Sequence, residues 1–347
     1  MDGVPFVMKR NLNMSHFPTV KLVTDRTPIQ PLTQLSSLLG IDLWIKRDDL
    51  AGTTLGGNKA RQLEYYLGAA VAEKADTILI TGAVQSNFVR IAAASAASLG
   101  MQTVIQLEDR VDRDDLIYRQ SGNVLLNSIF GSRVIYYPHG EDENGADAAL
   151  FTEATKLRKQ GKTPYVIPLG MQKPPLGALG YIHCAEELQS QAPEFDLAVV
   201  GSGSGLTHLG LVAGFKVTGA KTVTIGSCVR RPEDQQHKRL QDLAVAFDKM
   251  QECPGRLNKQ DFEVWDGALA PGYGQLGPVA AQAMSLLGKY EGHIVDPTYT
   301  AKSFAAIPAL VKSGRIPKGS RVVFIHTGGL GAVFAYQEDI RLALTDV

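Results

Sequence analysis

The stretch Phe195-Asp-Leu-Ala-Val-Val-Gly201-Ser-Gly-Ser-Gly-Leu-Thr-His208, followed by LGLVAGF at 209–215, decides the fold. A short β-branched run gives way to a glycine-rich turn and then to an apolar helical stretch. Strand, loop and helix N-terminus in that order make the unit of a parallel α/β sheet, in which ligands sit beyond the carboxyl ends of the strands. The glycines let the backbone approach an anion closely. The loop amides, the Ser204 and Thr207 hydroxyls and the helix dipole all favour negative charge there. No Lys-Ser/Thr follows, so the loop is not a Walker A, and Leu206 stands where the third glycine of GxGxxG belongs. The next strand, Thr222-Val-Thr-Ile-Gly-Ser227, runs into Cys228 without an acidic residue for a ribose. A single phosphate suits this loop better than a dinucleotide; the competing reading is a turn that binds nothing.

The same alternation continues outward along the chain. Runs starting at Asp76 (DTILITG), Gln102 (QTVIQLE), Arg133 (RVIYYP), Tyr165 (YVIPLG) and Arg321 (RVVFIHTGG) read as further buried strands. Ala/Leu-rich stretches from Asn87 to Leu99 and from Asp147 to Lys159 have helical spacing. The fold class is therefore α/β, with mostly parallel sheets flanked by helices. At 347 residues the chain suits two lobes. The 35 Lys+Arg balance 35 Asp+Glu, which argues against a surface that grips nucleic acid or an acidic membrane by bulk charge. No apolar run reaches the ~18 residues of a spanning helix. The start, MDGVPFVMKRNLNMSHF, has no continuous apolar core of a secretory signal. Three separated cysteines (Cys184, Cys228, Cys253) without a CxxC suggest neither a disulfide framework nor a metal site, and fit a reducing cytoplasm.

Three more loops carry chemistry. Thr53-Thr-Leu-Gly-Gly-Asn-Lys59 leads into a helical stretch, Ala60–Ala72, and a lysine at a helix start is placed to have a lowered pKa. A neutral amine is what Schiff-base chemistry requires, although most lysines are solvated surface groups. Thr81-Gly-Ala-Val-Gln-Ser-Asn87 is a turn whose amides could hold a carboxylate, or simply a helix capped by Ser86 or Asn87. His326-Thr-Gly-Gly-Leu-Gly331 follows the last strand, where a tight turn closing the sheet is the plainer reading. Together, an anion nest, an imine-forming lysine, a carboxylate turn and a hydroxyl beside glycines are the parts of a pyridoxal 5'-phosphate site.

Eight blocks, in order, carry a family resemblance: TPIQPL, IKRDDLAGTTLGGNKARQLEY, TGAVQSN, IQLEDR, GSGSGLTHLGL, LAPGYG, EGHIVDPTYTAKSF and FIHTGGLGAVFAY. They resemble the D-cysteine desulfhydrase and 1-aminocyclopropane-1-carboxylate (ACC) deaminase family over nearly the whole chain. That family consists of pyridoxal phosphate enzymes with the tryptophan synthase β fold. The resemblance implies two lobes, 1–62 with 179–347 as the large cofactor-binding domain and 63–178 as the small one. It also implies a homodimer.

Residue by residue, Lys59 resembles the lysine that holds the cofactor, and Asn87 the asparagine beside the cofactor's phenolic oxygen. Gly203, Ser204, Gly205, Leu206 and Thr207 match the phosphate cup. Gln85 and Ser86, with the adjacent amides, match the turn that binds the substrate's carboxylate, and Ser86 is also a candidate proton-transfer or nucleophilic group. Tyr273 in APGYG and Tyr299 in DPTYT resemble the two active-site tyrosines. Thr300 and Thr327 stand at cofactor-side positions where the deaminases carry glutamate and leucine. A carboxylate near the pyridine nitrogen would keep it protonated; a hydroxyl does so less, which suits an easier elimination better than cyclopropane opening.

Phe88 is a departure, since the family has a polar residue after QSN. Ala60 and Gln62 stand where larger or basic residues are common, and read as packing or surface variation. His326 reads as a structural histidine at a strand end. The expected activity is β-elimination from a small amino acid, D-cysteine first, with another β-substituted alanine such as a sulfonated one, or ACC, as alternatives. A non-catalytic protein that keeps the pocket as a small-molecule sensor is the competing class.

Overall fold

The computed structural model describes residues 12, 14–170, 173–253 and 255–345. Most of the N-terminal stretch read for a leader, and the outer ends of the segments 1–62 and 179–347, lie outside the described residues. Among the described residues, ten strands form two sheets: β1 (Ile29–Pro31), β2 (Asp42–Lys46), β3 (Thr77–Ala83), β4 (Gln102–Glu108), β5 (Arg133–Tyr137), β6 (Pro164–Ile167), β7 (Leu197–Ser202), β8 (Val223–Cys228), β9 (Glu263–Trp265) and β10 (Arg321–Ile325). All seven expected strands are present. The additional ones, β1, β2 and β9, are short or carry charged residues at their ends, which hides them from an apolar-run search.

The larger sheet has the order β1-β2-β10-β7-β8-β9 and the smaller one β5-β4-β3-β6. Every pairing is parallel except β1 with β2. Each central strand is buried on both faces; all seven residues of β3 are buried. That explains why these strands read as continuous apolar runs rather than alternating ones. In the larger sheet the chain runs from β7 to β8 and β9 on one side, and returns to β10 on the other. The order of the smaller sheet turns likewise between β3 and β6. Crevices open at such switch points, and the loops after β7, β10 and β3 emerge there.

The helix Lys59–Ala72 joins the two layers. Its Leu63, Leu67 and Ala70 pack with Ile78 and Ile91 of the smaller sheet's core, and Tyr65 packs with Leu179 and Leu209 of the other. Where it passes the 18–19 segment, a Cβ on Gly68 would lie 2.2 Å from the Pro18 carbonyl oxygen, so only glycine allows that approach. A buried ion network fixes the same helix from below. Arg61 forks onto Asp48 (2.9 and 3.0 Å) and Glu187 (2.8 Å), Lys46 donates to Glu187 (2.8 Å), and Tyr181 donates to Asp48 (2.7 Å).

Candidate active site

The three loops and the start of this helix line one cleft between the sheets, about 1380 Å³ of space with its mouth included. Lys59 is the first residue of its helix. Its Nζ donates to Gln62 Oε1 (3.2 Å) and lies 5.2 Å from the centroid of the Phe88 ring. Burial lowers its pKa to about 8, so a substantial share of the amine is neutral in mildly alkaline solution. The preceding loop is tied to the turn after β10, where Asn58 N–H donates to the Thr327 carbonyl at 3.1 Å. A Cβ on Gly57 (φ +129°) would meet that same oxygen at 3.1 Å.

Gly203, Ser204, Gly205, Leu206 and Thr207 all line the cleft at the N-terminus of the helix Leu206–Thr218. Gly205 has φ +94°, a left-handed conformation that side chains rarely adopt, and a Cβ there would sit 2.7 Å from Leu243 Cδ1. Two loop carbonyls are taken by arginines: Arg239 Nε donates to Ser204 O (2.9 Å) and Arg231 Nη1 to Gly203 O (3.2 Å). Thr207 Oγ1 accepts from Asn58 Nδ2 (2.9 Å) and from Gln62 Nε2 (2.8 Å). A hydroxyl has two lone pairs and one proton, so Thr207 is left as a donor only. Helix amides, a donor-only hydroxyl and close-approach glycines fit a phosphate group, and the partly neutral Lys59 fits an aldehyde. The residues present therefore fit pyridoxal phosphate.

On the opposite wall, Ser86 caps the helix Asn87–Ser98, its Oγ accepting from Val89 N–H at 3.3 Å, and it also lines the cleft. Asn87 Oδ1 accepts from Asn123 Nδ2 (2.9 Å), which leaves the amide NH2 of Asn87 for the cleft. Phe88 lines the wall and meets Tyr66 edge-on, with centroids 6.2 Å apart. Tyr273 and Tyr299 share a short hydroxyl–hydroxyl hydrogen bond. Burial, and then the neighbouring Tyr273, push the Tyr299 phenol well above its ordinary value, so it keeps its proton at neutral pH. Lys302 Nζ donates to the carbonyls of Leu269 (3.0 Å) and Gly272 (2.6 Å), which fixes the turn that presents Tyr273.

Two expected contacts stand behind the wall rather than in it. The Gln85 amide donates to the Tyr118 and Ser121 carbonyls (2.6 and 3.0 Å) and its Oε1 accepts from Asn123 N–H (2.9 Å), so its side chain braces the 118–123 segment. The Thr300 hydroxyl is taken up by Asp296: it lies 2.7 Å from Asp296 Oδ1 and accepts from the Asp296 N–H at 2.7 Å. Asp296 itself lines the cleft, as does Thr327. Burial raises the Asp296 pKa although Thr300 and three backbone amides donate to it. His326 is structural, since its Nε2 meets the Ile294 carbonyl at 2.8 Å and its Nδ1 accepts from Gly328 N–H at 3.2 Å.

Gln62 is not the packing or surface variation that its sequence neighbourhood suggested. It is fully buried, lines the cleft and bonds both Lys59 and Thr207. Its i+3 spacing from Lys59, which places the two on one helix face, was the available signal. Ala60 is a packing residue, as read. Arg110, Glu143 and Arg230 also line the cleft; Glu143 and Arg230 are fixed by pairing across 87 residues that no local motif reveals, and Arg110 by a partner two residues away. Arg110 forks onto the buried Glu108 (2.9 and 2.7 Å). Glu143 receives Arg230 (2.6 Å), Arg231 (2.7 Å) and Arg239 (3.1 Å), and the Arg230 guanidinium lies 5.9 Å from the Tyr273 ring centroid. Among the described residues no group of His, Cys, Asp and Glu could hold a metal ion, and no helix is long and apolar enough to cross a membrane.

Residues 20–328, which include every site residue above, match the family described as pyridoxal-phosphate dependent enzyme. The chain is 37% identical to the D-cysteine desulfhydrase of Yersinia pestis (strain Pestoides F) over 330 residues, covering 94% of this chain and 98% of that one. It is also 37% identical to the D-cysteine desulfhydrase of Salmonella choleraesuis (strain SC-B67), covering 94% and 99%. A crystal structure of an ACC deaminase homologue superposes with a TM-score of 0.85 at 33% identity, covering 95% of this chain and 97% of that one. Threonine deaminase isoform 2 from Solanum lycopersicum, 17% identical with a TM-score of 0.65, shares the fold.

Proposed function

Because this chain belongs to the pyridoxal-phosphate dependent enzyme family, we propose that it is a lyase that removes the β substituent of a small amino acid. The first substrate is D-cysteine, converted with one water to pyruvate, hydrogen sulfide and ammonia. The observation that carries this reading is the convergence of Lys59, the donor-only Thr207 loop and the Ser86–Asn87 turn in one cleft. The relatives named D-cysteine desulfhydrase, similar over nearly their full length, support the choice of substrate.

When bound, the cofactor supplies an electron sink for the charge left at the substrate's Cα. The rest falls to the chain. Backbone amides and the Thr207 hydroxyl hold the phosphate, and Lys59 is the point of covalent attachment. Asn87 and Thr327, which line the cleft, would hold the ring. The Ser86 hydroxyl and the amides beside it hold the substrate carboxylate. A neutral Lys59 amine, or Tyr273 or Ser86, would move the Cα proton. The Tyr299 phenol, protonated and bonded to Tyr273, supplies a proton at the departing substituent. Thr300 acts through Asp296 and not by touching the ring. Threonine at 300 and 327, where the deaminases carry glutamate and leucine, keeps ACC as the weaker substrate.

Arg110 and Arg230 favour a second reading, in which the substituent is anionic, as in 3-sulfoalanine. The two are separated by pyruvate release from both enantiomers of cysteine and of 3-sulfoalanine. Faster release from D-cysteine supports the first reading, faster release from 3-sulfoalanine the second, and no release from any amino acid contradicts both. We further propose the lobes 1–62 with 179–347, and 63–178, a homodimer, and a cytoplasmic location consistent with three free thiols.

A further inference from the structure

We propose that Gln62 is a positioning residue that couples the phosphate loop to the reactive lysine, so that Lys59 is readied by the same group that orients Thr207. The proposal rests on the reading of Lys59 as the cofactor lysine. The Gln62 side chain spans the two: its Oε1 accepts from Lys59 Nζ at 3.2 Å and its Nε2 donates to Thr207 Oγ1 at 2.8 Å. The amide cannot be turned over, because that would set its NH2 against the Lys59 ammonium and its oxygen beside a hydroxyl that would have to turn its proton inward.

The orientation of Gln62 has two consequences. With Asn58 Nδ2 at 2.9 Å taking the other lone pair of Thr207, the hydroxyl proton has nowhere to go but outward, to an acceptor-only ligand such as a phosphate oxygen. An anion that takes this proton polarises the chain and strengthens the Gln62–Thr207 bond, which steadies the amide that holds Lys59. On its far side Lys59 Nζ faces the Phe88 ring at 5.2 Å, within range of a cation–π contact. The ammonium thus rests between one oxygen acceptor and one aromatic face, and that acceptor is the residue bonded to Thr207 of the loop that takes the phosphate.

The test is covalent capture at Lys59, followed by the yellow Schiff-base absorbance, with pyridoxal 5'-phosphate and with pyridoxal, which lacks the phosphate. The wild type captures the phosphorylated aldehyde faster, and that advantage is the quantity of interest. Gln62→Leu reduces the advantage about tenfold, the loss expected for one buried polar bond of about 1.4 kcal/mol. Thr207→Val does the same, and the double variant loses no more than either single one. Gln62→Glu separates the two halves. An ionised carboxylate still accepts from Lys59 and moves the capture midpoint to higher pH, but cannot donate to Thr207 and loses the phosphate advantage. Gln62→Leu moves the midpoint to lower pH, because the ammonium has lost its acceptor. Additive losses in the double variant, or a Gln62→Leu protein with the wild-type advantage and midpoint, overturn the coupling. A wild type that captures no pyridoxal 5'-phosphate contradicts the cofactor reading itself, which is a different outcome.

Discussion

At Lys59 the chemistry turns on one proton. Its pKa is lowered to about 8 by burial, and only the neutral amine attacks an aldehyde. The capture rate of pyridoxal phosphate should therefore rise as the pH passes through about 8 and level off above it; a rate that stays flat from pH 6 to 10 contradicts this. Tyr299 gives a second residue-scale expectation. Tyr299→Phe removes a positioned proton donor and should cost about 100-fold in kcat with little change in KM. Tyr273→Phe should cost a similar factor, and the double variant little more, because the two hydroxyls share one bond. Lys59, Ser86, Asn87 and the 203–207 loop were legible because they sit in motifs with a chemical rationale, whereas both tyrosines were reached only through the family resemblance. Gln62, Arg110 and Asp296 were not legible as site residues. The i+3 spacing of Gln62 from Lys59 showed only half its role, because its other partner, Thr207, is 145 residues away; the short-range contacts of Arg110 and Asp296, two and four residues away, look like those of any strand-end or helix-start polar residue.

The helix Lys59–Ala72 is only as well placed as the network beneath it. Burial pushes the Asp48 carboxyl up, but the Arg61 charge and hydrogen bond, together with Lys46, overbalance it and hold the pKa below 3.8. A carboxyl lowered in the folded state contributes its stability above its unfolded value and loses it as the pH falls through the folded one. Arg61→Met leaves Asp48 buried without its partner and should cost about 3–5 kcal/mol by urea denaturation at pH 7. The gap between wild type and variant should narrow below pH 3.8, where Asp48 is increasingly protonated in the unfolded chain; a gap independent of pH contradicts the assignment. Element by element, the central strands were readable because parallel sheets bury both faces and give unbroken apolar runs. The helix starts were less so. Lys59 itself is helical, one residue earlier than expected, and the helix Glu143–Lys159 begins ahead of the expected Asp147 because Asp142 caps it through Gly145 N–H at 2.9 Å.

Across the whole molecule, Glu143 on a helix of the smaller sheet gathers Arg230, Arg231 and Arg239, which follow β8 in the larger one. One carboxylate in the lining of the cleft therefore ties the two sheets together. Glu143→Gln should cost about 1–3 kcal/mol, between the values for exposed and buried pairs, and speed loss of the cofactor on dialysis. Unchanged retention would show that the bridge does not hold the cleft closed. The proposed dimer predicts a light-scattering mass of twice 37.4 kDa, and a mass of one chain contradicts it. Leu116, Ile129 and Phe334, each more than 60% exposed, are candidates for the buried face.

The central claim is that this cleft, through Lys59, eliminates the β substituent of an amino acid. The most direct measurement is pyruvate and sulfide release from D-cysteine by the cofactor-loaded protein, with Lys59→Ala beside it. The wild type should release equal amounts of pyruvate and sulfide, and Lys59→Ala neither. Wild-type turnover by Lys59→Ala would contradict the claim.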